Sequence, residues 1–325
     1  MSRLTISVAI CTFNGRRFLD AQLESIAAQS RLPDEIVFCD DGSSDGTAEI
    51  IREFSRRTTV PTRLVINNKN IGSTKNFEQA IGLCRGSIVA LADQDDVWYG
   101  QKLERIEESF ARSSTLVAAF SDADLIDDES RPLGSRLWSG LGFDRAKQDL
   151  FTQGQALRVL IRHPVVTGAT MAFRRELFDF MVPIPTDEFH DRWISFLLAC
   201  QGRYTVISEP LMQYRRHPAQ QVGPGPLTLR GLMIQARSRG ADHYLEEIDR
   251  FHDLYGRLEE RKADFPYAEL ALDEIKSKLR HLQHRARLPH GKVARIPKVL
   301  REVINGHYWR YSGGWRSLAK DMVIR

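Results

Sequence analysis

Ile88-Val-Ala-Leu-Ala-Asp-Gln-Asp-Asp-Val-Trp98 runs five apolar or small residues straight into three carboxylates, Asp93, Asp95 and Asp96, and then into an aromatic. A short apolar run bounded by turn signals reads as a buried strand of a parallel sheet. Its terminal acids cannot be buried unpaired, because an isolated ionised carboxylate is very costly in a low-dielectric interior. They belong at the carboxyl edge of the sheet, where open α/β folds place their ligands. A divalent cation is the simplest positive partner for that space.

Three strands are expected before this one, at Thr5–Thr12, Glu35–Asp40 and Arg63–Asn67, alternating with helical spacing over Arg16–Gln29, Thr47–Arg57 and Thr74–Cys84. That alternation predicts βαβ units with right-handed crossovers, an α/β chain with a doubly wound, mainly parallel twisted sheet and helices on both faces. Downstream, the pattern predicts a helix over Lys102–Ser113, a strand over Leu116–Ser121 and a surface loop over Asp122–Asp149. It then predicts a helix over Leu150–Arg162, a helix from Asp191 to Cys200, and two strands, Thr205–Ile207 and Leu211–Arg216. Gly223-Pro-Gly-Pro226 is a strong breaker and sets the expected boundary between a domain at 1–222 and a helical, basic extension at 223–325.

The 325 residues are 42% hydrophobic and 27% charged, ordinary for a globular chain with a sizeable core. No run approaches the roughly 18 apolar residues of a membrane span. The N-terminal apolar stretch is too short for a signal-peptide core and reads as the first strand. Cys11, Cys39, Cys84 and Cys200 have neither metal nor redox spacing, so they read as small buried hydrophobes of a reducing cytoplasm. The net charge of +4 conceals an asymmetry: from Ile275 onward thirteen Lys or Arg face two acids, leaving a net −7 for the preceding 274 residues. A basic tail on an acidic body implies a partner of its own.

Asp40-Asp-Gly-Ser-Ser-Asp-Gly-Thr47 follows the second strand and opens a helix. Glycines allow close backbone approach and a helix N-terminus offers N–H groups to an anion, while Asp40 or Asp41 can accept from a nucleobase or a ribose. The same residues also suit a plain Asp/Gly/Ser turn with a cap. Neither a Walker loop nor G-x-G-x-x-G is present, which disfavours P-loop enzymes and dinucleotide dehydrogenases. Taken together, Ile10-Cys-Thr-Phe-Asn-Gly15, Asp40–Thr47, Asn70-Ile-Gly-Ser-Thr-Lys-Asn76 and Asp93–Trp98 resemble the family 2 glycosyltransferases of GT-A fold. The likeness runs from residue 4 to about 222 and is greatest to the bacterial rhamnosyltransferase-like branch that builds surface polysaccharide.

The resemblance implies a metal-dependent, inverting transferase using a dTDP- or UDP-linked sugar and Mn2+ or Mg2+. Thr12, Asn14, Asp40 and Asp41 would line the nucleoside pocket, Lys75 and Asn76 would flank base and sugar, and Asp93 would meet ribose or donor sugar. Asp95 would hold the cation across the diphosphate, which suits a hard ion shared with phosphate oxygens. His217 is a candidate further ligand, or a solvated histidine beside two arginines. Arg215 or Arg216 could offer a fork to the diphosphate, and Gly168 would give the small-residue loop where sugar and acceptor meet. Asp191 matches the family's general base, with a helix N-cap as the alternative, and Asp96 stays open between ligand and N-cap.

Processive members carry Q-x-x-R-W and membrane helices. Here Arg192-Trp193 is present but Phe189 replaces the Gln, so single addition to a saccharide or lipid-linked acceptor is expected. The basic tail, interleaved with aliphatic and aromatic residues, suits an anionic membrane surface on the cytoplasmic side, a homodimer contact or a solvated helix. Nucleic acid is not expected, because no recognition module accompanies the charge. The rival functions are a scaffold that binds nucleotide sugar without turnover and a nucleotidyltransferase, whose glycine- and lysine-rich triphosphate loop Thr12-Phe-Asn-Gly15 does not supply.

Overall fold

A computed structural model describes residues 4–218, 220, 242–289 and 291–323. They fall into two units, one of Met1–Ala156 with Val165–Pro224, the other of Leu157–Pro164 with Gly225–Arg325. The boundary expected at 222/223 lies outside the described residues. Leu157–Pro164, expected within the first domain, groups with the second unit, where Arg162 Nε donates to the Ser312 carbonyl at 3.1 Å.

The first unit is a mixed α/β structure. Its elements up to the acidic turn are β1 (Ile6–Thr12), α1 (Leu19–Ala27), β2 (Glu35–Asp40), α2 (Thr47–Arg57), β3 (Thr62–Ile66), α3 (Ser73–Leu83) and β4 (Ile88–Asp93). β5 (Val97–Trp98), α4 (Lys102–Ala111), β6 (Leu116–Ile126) and β7 (Pro132–Arg136) follow, then α5 (Leu137–Leu141) and α6 (Arg145–Thr152), while α7 (Ala156–Leu160) falls almost wholly in the segment that groups with the second unit. β8 (Met171–Arg174), α8 (His190–Ala199) and β9 (Arg203–Arg215) complete the first unit. The sheet order is β3-β2-β1-β4-β8-β6-β9-β5, with β7 on β6. β1 is parallel to β2 on one side and to β4 on the other, so the chain order reverses there and a crevice opens beyond the carboxyl ends. Register sets Thr12 opposite Asp40 and Cys11 opposite Asp93, which brings two distant sequence motifs onto neighbouring strands. Both β1 and the apolar part of β4 are buried throughout, as continuous apolar runs of a parallel sheet should be.

The span 122–149 is ordered as strand and helix rather than loop. β6 runs on to Ile126, and a tight turn to β7 follows in which Asp127 Oδ1 accepts from the N–H groups of Glu129 and Arg131. Asp122 Oδ1 accepts from Ala123 and Trp138 N–H. Polar residues that suggested solvent instead satisfy backbone donors, while Trp138, Phe143 and Phe151 pack round Phe120 with ring centroids 5.3–5.6 Å away. The single helix expected over 150–162 is two, separated at Gly154 in the left-handed region (φ +77°). The two late strands are one, β9, whose register with β6 shifts near Pro210, a residue without a ladder donor. All four cysteines are buried and free, and burial pushes the Cys39 and Cys84 thiols up to about 12.

The second unit is helical: α9 (Asp242–Glu260), α10 (Ala268–Ala286), α11 (Lys292–Ile304), α12 (His307–Tyr311) and α13 (Trp315–Val323). Its interior is unusually polar. Asp321 accepts from Arg285 Nε at 2.6 Å and from the Tyr244 and Tyr308 hydroxyls. Glu302 lies 2.5 Å from His281 Nδ1, 2.9 Å from His284 Nδ1 and 3.0 Å from His307 Nδ1. Burial raises the Glu302 carboxyl, but the three imidazoles more than offset it and hold it at about 2. Its contribution is therefore complete above the ordinary carboxylate range and is lost as pH falls from about 4.5 towards 2. His281 is pulled below its usual value by burial, against Glu302, so protonation of the unfolded chain adds a loss that begins as pH drops through about 6.5. Glu302→Ala, which strands these donors, is expected to lower unfolding stability by about 1–3 kcal/mol in denaturant titrations. An unchanged midpoint for that variant would dismiss the buried network as a stabilising element.

Candidate active site

The acids stand on the turn between β4 and β5. Asp93, Asp95 and Asp96 each present an oxygen within 4.8 Å of the others. The Asp95 carboxylate lies 2.7 Å from His217 Nε2, whose ring packs on Phe18 at 4.9 Å. Asp96 is not a helix cap, since α4 begins at Lys102 with Gln101 at its cap. Its Oδ1 accepts from Arg215 N–H at 3.0 Å, and its buried Oδ2 meets no donor among the described residues. Burial, then Asp95 and Asp93, raises the Asp96 carboxyl well above the carboxylate range.

Two residues that sequence reasoning missed shape this turn. Lys102 is fully buried, its Nζ donating to the Ala169 carbonyl at 2.6 Å and lying 3.9 Å from the centre of the Trp98 ring. Burial pulls its ammonium down to about 7, while Asp96 and Asp93 act to keep its charge. Gln94 makes paired hydrogen bonds with the Phe13 backbone, at 2.9 and 3.1 Å, and clasps the acid turn to the loop after β1. A Cβ at Gly15 would fall 2.1 Å from Gln94 Oε1, so that glycine is required by the clasp. Neither residue carried a local signal, because both contacts join segments far apart in sequence.

Across the crevice, Asp40 Oδ1 accepts from the hydroxyls of Thr12 (2.7 Å) and Ser43 (2.6 Å), and its Oδ2 from Ser43 N–H. Asn14, in the left-handed region at φ 48°, accepts from Ser44 N–H. Asp41 accepts from the N–H groups of Ile71 and Gly72 and from Asn67 Nδ2, so it organises the Asn68–Ser73 loop. Asn76 is buried and donates to the Cys39 carbonyl at 2.7 Å, and Lys75 pairs with Glu78. Arg215 is buried, and its guanidinium donates to the Asp95 and Asp127 carbonyls and to Ser130 Oγ, over the Phe18 ring. It braces the acid turn.

Asp191 is the second residue of α8, and Phe189 occupies the N-cap, so the simple cap alternative fails. The Asp191 carboxylate accepts from Gly168 N–H at 3.0 Å and from Arg192 N–H at 2.7 Å. A Cβ at Gly168 would press on His190 Nε2 at 3.0 Å and on Asp191 Cβ at 3.2 Å, so only glycine leaves the carboxylate in place. His190, also unnoticed in the sequence, stacks on Phe77 at 3.9 Å with both ring nitrogens buried and without partners among the described residues. Burial holds its imidazole below the usual value. Burial, then Asp95 and Asp191, pushes the Asp93 carboxyl up to about 7, so Asp191 and the acid turn share one electrostatic environment.

Hard oxygen donors, one imidazole at Asp95 and a buried carboxylate oxygen without a donor together fit a divalent cation. The Glycosyl transferase family 2 profile matches residues 7–181, and the chain belongs to that family. An uncharacterized glycosyltransferase of Nostoc sp. is 30% identical over 221 residues, 66% of this chain and 66% of that relative, so the match spans just under two thirds of the relative's length. An uncharacterized protein of Mycobacterium bovis is 26% identical over 252 residues, covering 75% of this chain and 67% of its own. TarS of S. aureus, solved with UDP-GlcNAc, superposes with a TM-score of 0.55 at 16% identity, over 91% of this chain and 80% of that one. The mannosyltransferase PcManGT of Pyrobaculum calidifontis, solved with GDP-Man and Mn2+, gives 0.53 at 17% identity over 100% and 85%. These likenesses show the GT-A fold.

Without an ion, the folded chain keeps a proton on Asp93 that the unfolded chain releases near pH 4, so stability falls as pH rises towards about 7. A cation relieves that penalty. Mn2+ is expected to raise Tm more at about pH 8 than at about pH 6, and Asp95→Asn to abolish the increment. A shift independent of pH, or one that survives Asp95→Asn, would place the ion elsewhere.

Proposed function

We propose that the chain is a metal-dependent, inverting, non-processive glycosyltransferase that moves a hexose from a nucleoside diphosphate to a hydroxyl of a saccharide or lipid-linked acceptor. The carrying observation is the acid turn, with His217 at Asp95, one strand from Asp40 at the end of β2, together with the Asp191 carboxylate held by Gly168 N–H. UDP- and dTDP-sugars are the favoured donors, with rhamnose resting only on the resemblance of Asp93–Trp98. TarS with UDP-GlcNAc and PcManGT with GDP-Man give precedents for nucleotide sugars on this fold, and the latter for Mn2+.

In this reading Asp40 and Thr12 form the end of the pocket that faces the base, with Asn14 beside them. Asp95 and His217 would hold Mn2+ or Mg2+, with Asp93 on the donor-sugar side. A bound cation would offset charge on the departing nucleoside diphosphate. The acceptor hydroxyl attacks the anomeric carbon in line as the bond to the diphosphate oxygen breaks, and its proton passes to the Asp191 carboxylate. Lys102 and Arg215 act by positioning the turn. Among the described residues no helix is long and apolar enough to cross a membrane.

Asp191→Asn is expected to lower kcat by about 10²–10⁴-fold in assays against a panel of UDP-, dTDP- and GDP-sugars, while donor still raises Tm. Unchanged turnover would remove Asp191 as the base. Donor binding without turnover in the wild-type chain would favour the scaffold reading.

A further inference from the structure

Helix α11 is amphipathic in an inverted sense. Its inner face is anchored by charge: Arg295 is fully buried, donating to the Pro289 and Asp321 carbonyls, and Glu302 sits among the histidines. Val299 packs with Leu288 and Tyr308. Its outer face carries Val293, Ile296, Leu300 and Ile304, spaced to share one side of a helix, at 82, 47, 53 and 75% exposure. A surface helix ordinarily turns polar residues outward. Lys298 and Arg301 are exposed beside the stripe, and α11 has no acid other than the buried Glu302. On α13, Trp315 is 71% exposed next to exposed Arg316.

We propose that this face of α11, with Trp315, docks on an anionic lipid surface. Aliphatic side chains enter the headgroup and acyl boundary, Lys298 and Arg301 meet lipid phosphates, and an indole suits the interface. A second copy of the same face would bring Lys298 and Arg301 against like charges within a segment that already carries a surplus of eleven positive charges from Ile275 onward, whereas an anionic surface supplies their complement. The inference does not depend on sugar transfer, since no residue in it belongs to the candidate active site.

The test is co-sedimentation of the full chain with vesicles of phosphatidylcholine alone and of phosphatidylcholine with phosphatidylglycerol. Binding is expected to the anionic vesicles, to weaken as salt is raised, and to shift tryptophan emission to the blue. Leu300→Ser with Ile304→Ser should weaken binding about tenfold or more, and Lys298→Glu with Arg301→Glu should remove the preference for anionic lipid. Both pairs change exposed positions, so Tm and the response to nucleotide sugars should stay at wild-type values. The proposal is overturned if neither vesicle binds, if both bind equally, or if the Ser variant binds like wild type. It is equally overturned if light scattering shows a dimer, in place of vesicle binding, that the Ser variant abolishes.

Discussion

Crowding Asp93, Asp95 and Asp96 onto one turn at a sheet edge costs free energy, because like charges in a poorly solvated site repel one another. The first unit offsets that cost in three ways. Lys102 lies fully buried within reach of the cluster's field, Arg215 ties the turn's backbone to β9, and His217 meets the Asp95 carboxylate. Lys102 comes from α4, and Arg215 and His217 from the end of β9 and the residues just beyond it. The turn is therefore a product of the whole sheet, and β9 must reach its far end before the acids are correctly held.

Much of this was legible in the sequence. Continuous apolar runs marked β1 and β4 as buried strands, and parallel register then placed Asp40 and Asp93 at one edge. The candidate residues Thr12 and Asp40 end β1 and β2, with Asn14 and Asp41 just beyond them, and all four are committed to protein hydrogen bonds that order the loops. What escaped was non-local. Gln94 reads as a spacer between two acids until Phe13 is seen beside it, and Lys102 reads as a helix-start charge until its burial is known. The hairpin and helices within 122–149 escaped for the opposite reason: Asp122 and Asp127 look solvent-seeking but are spent on backbone N–H groups.

The second unit shows the same economy with a different chemistry. Its helices are joined by buried ion pairs and imidazole–carboxylate contacts in addition to the apolar packing a small helical domain ordinarily uses. Such pairs are costly to desolvate and costly to break singly, which favours one arrangement of the helices over its neighbours. Charge is turned inward and aliphatic surface outward on α11, and the two facts are linked because the inward residues fix its rotation.

The clasp between Gln94 and the Phe13 backbone has a mechanical meaning. It fastens the loop that follows β1 to the turn that follows β4, so the two cannot drift apart independently. In the proposed reading one of them faces the base of the donor and the other its diphosphate. In that reading the pair would serve as a fixed gauge for the spacing between the two ends of a nucleoside diphosphate.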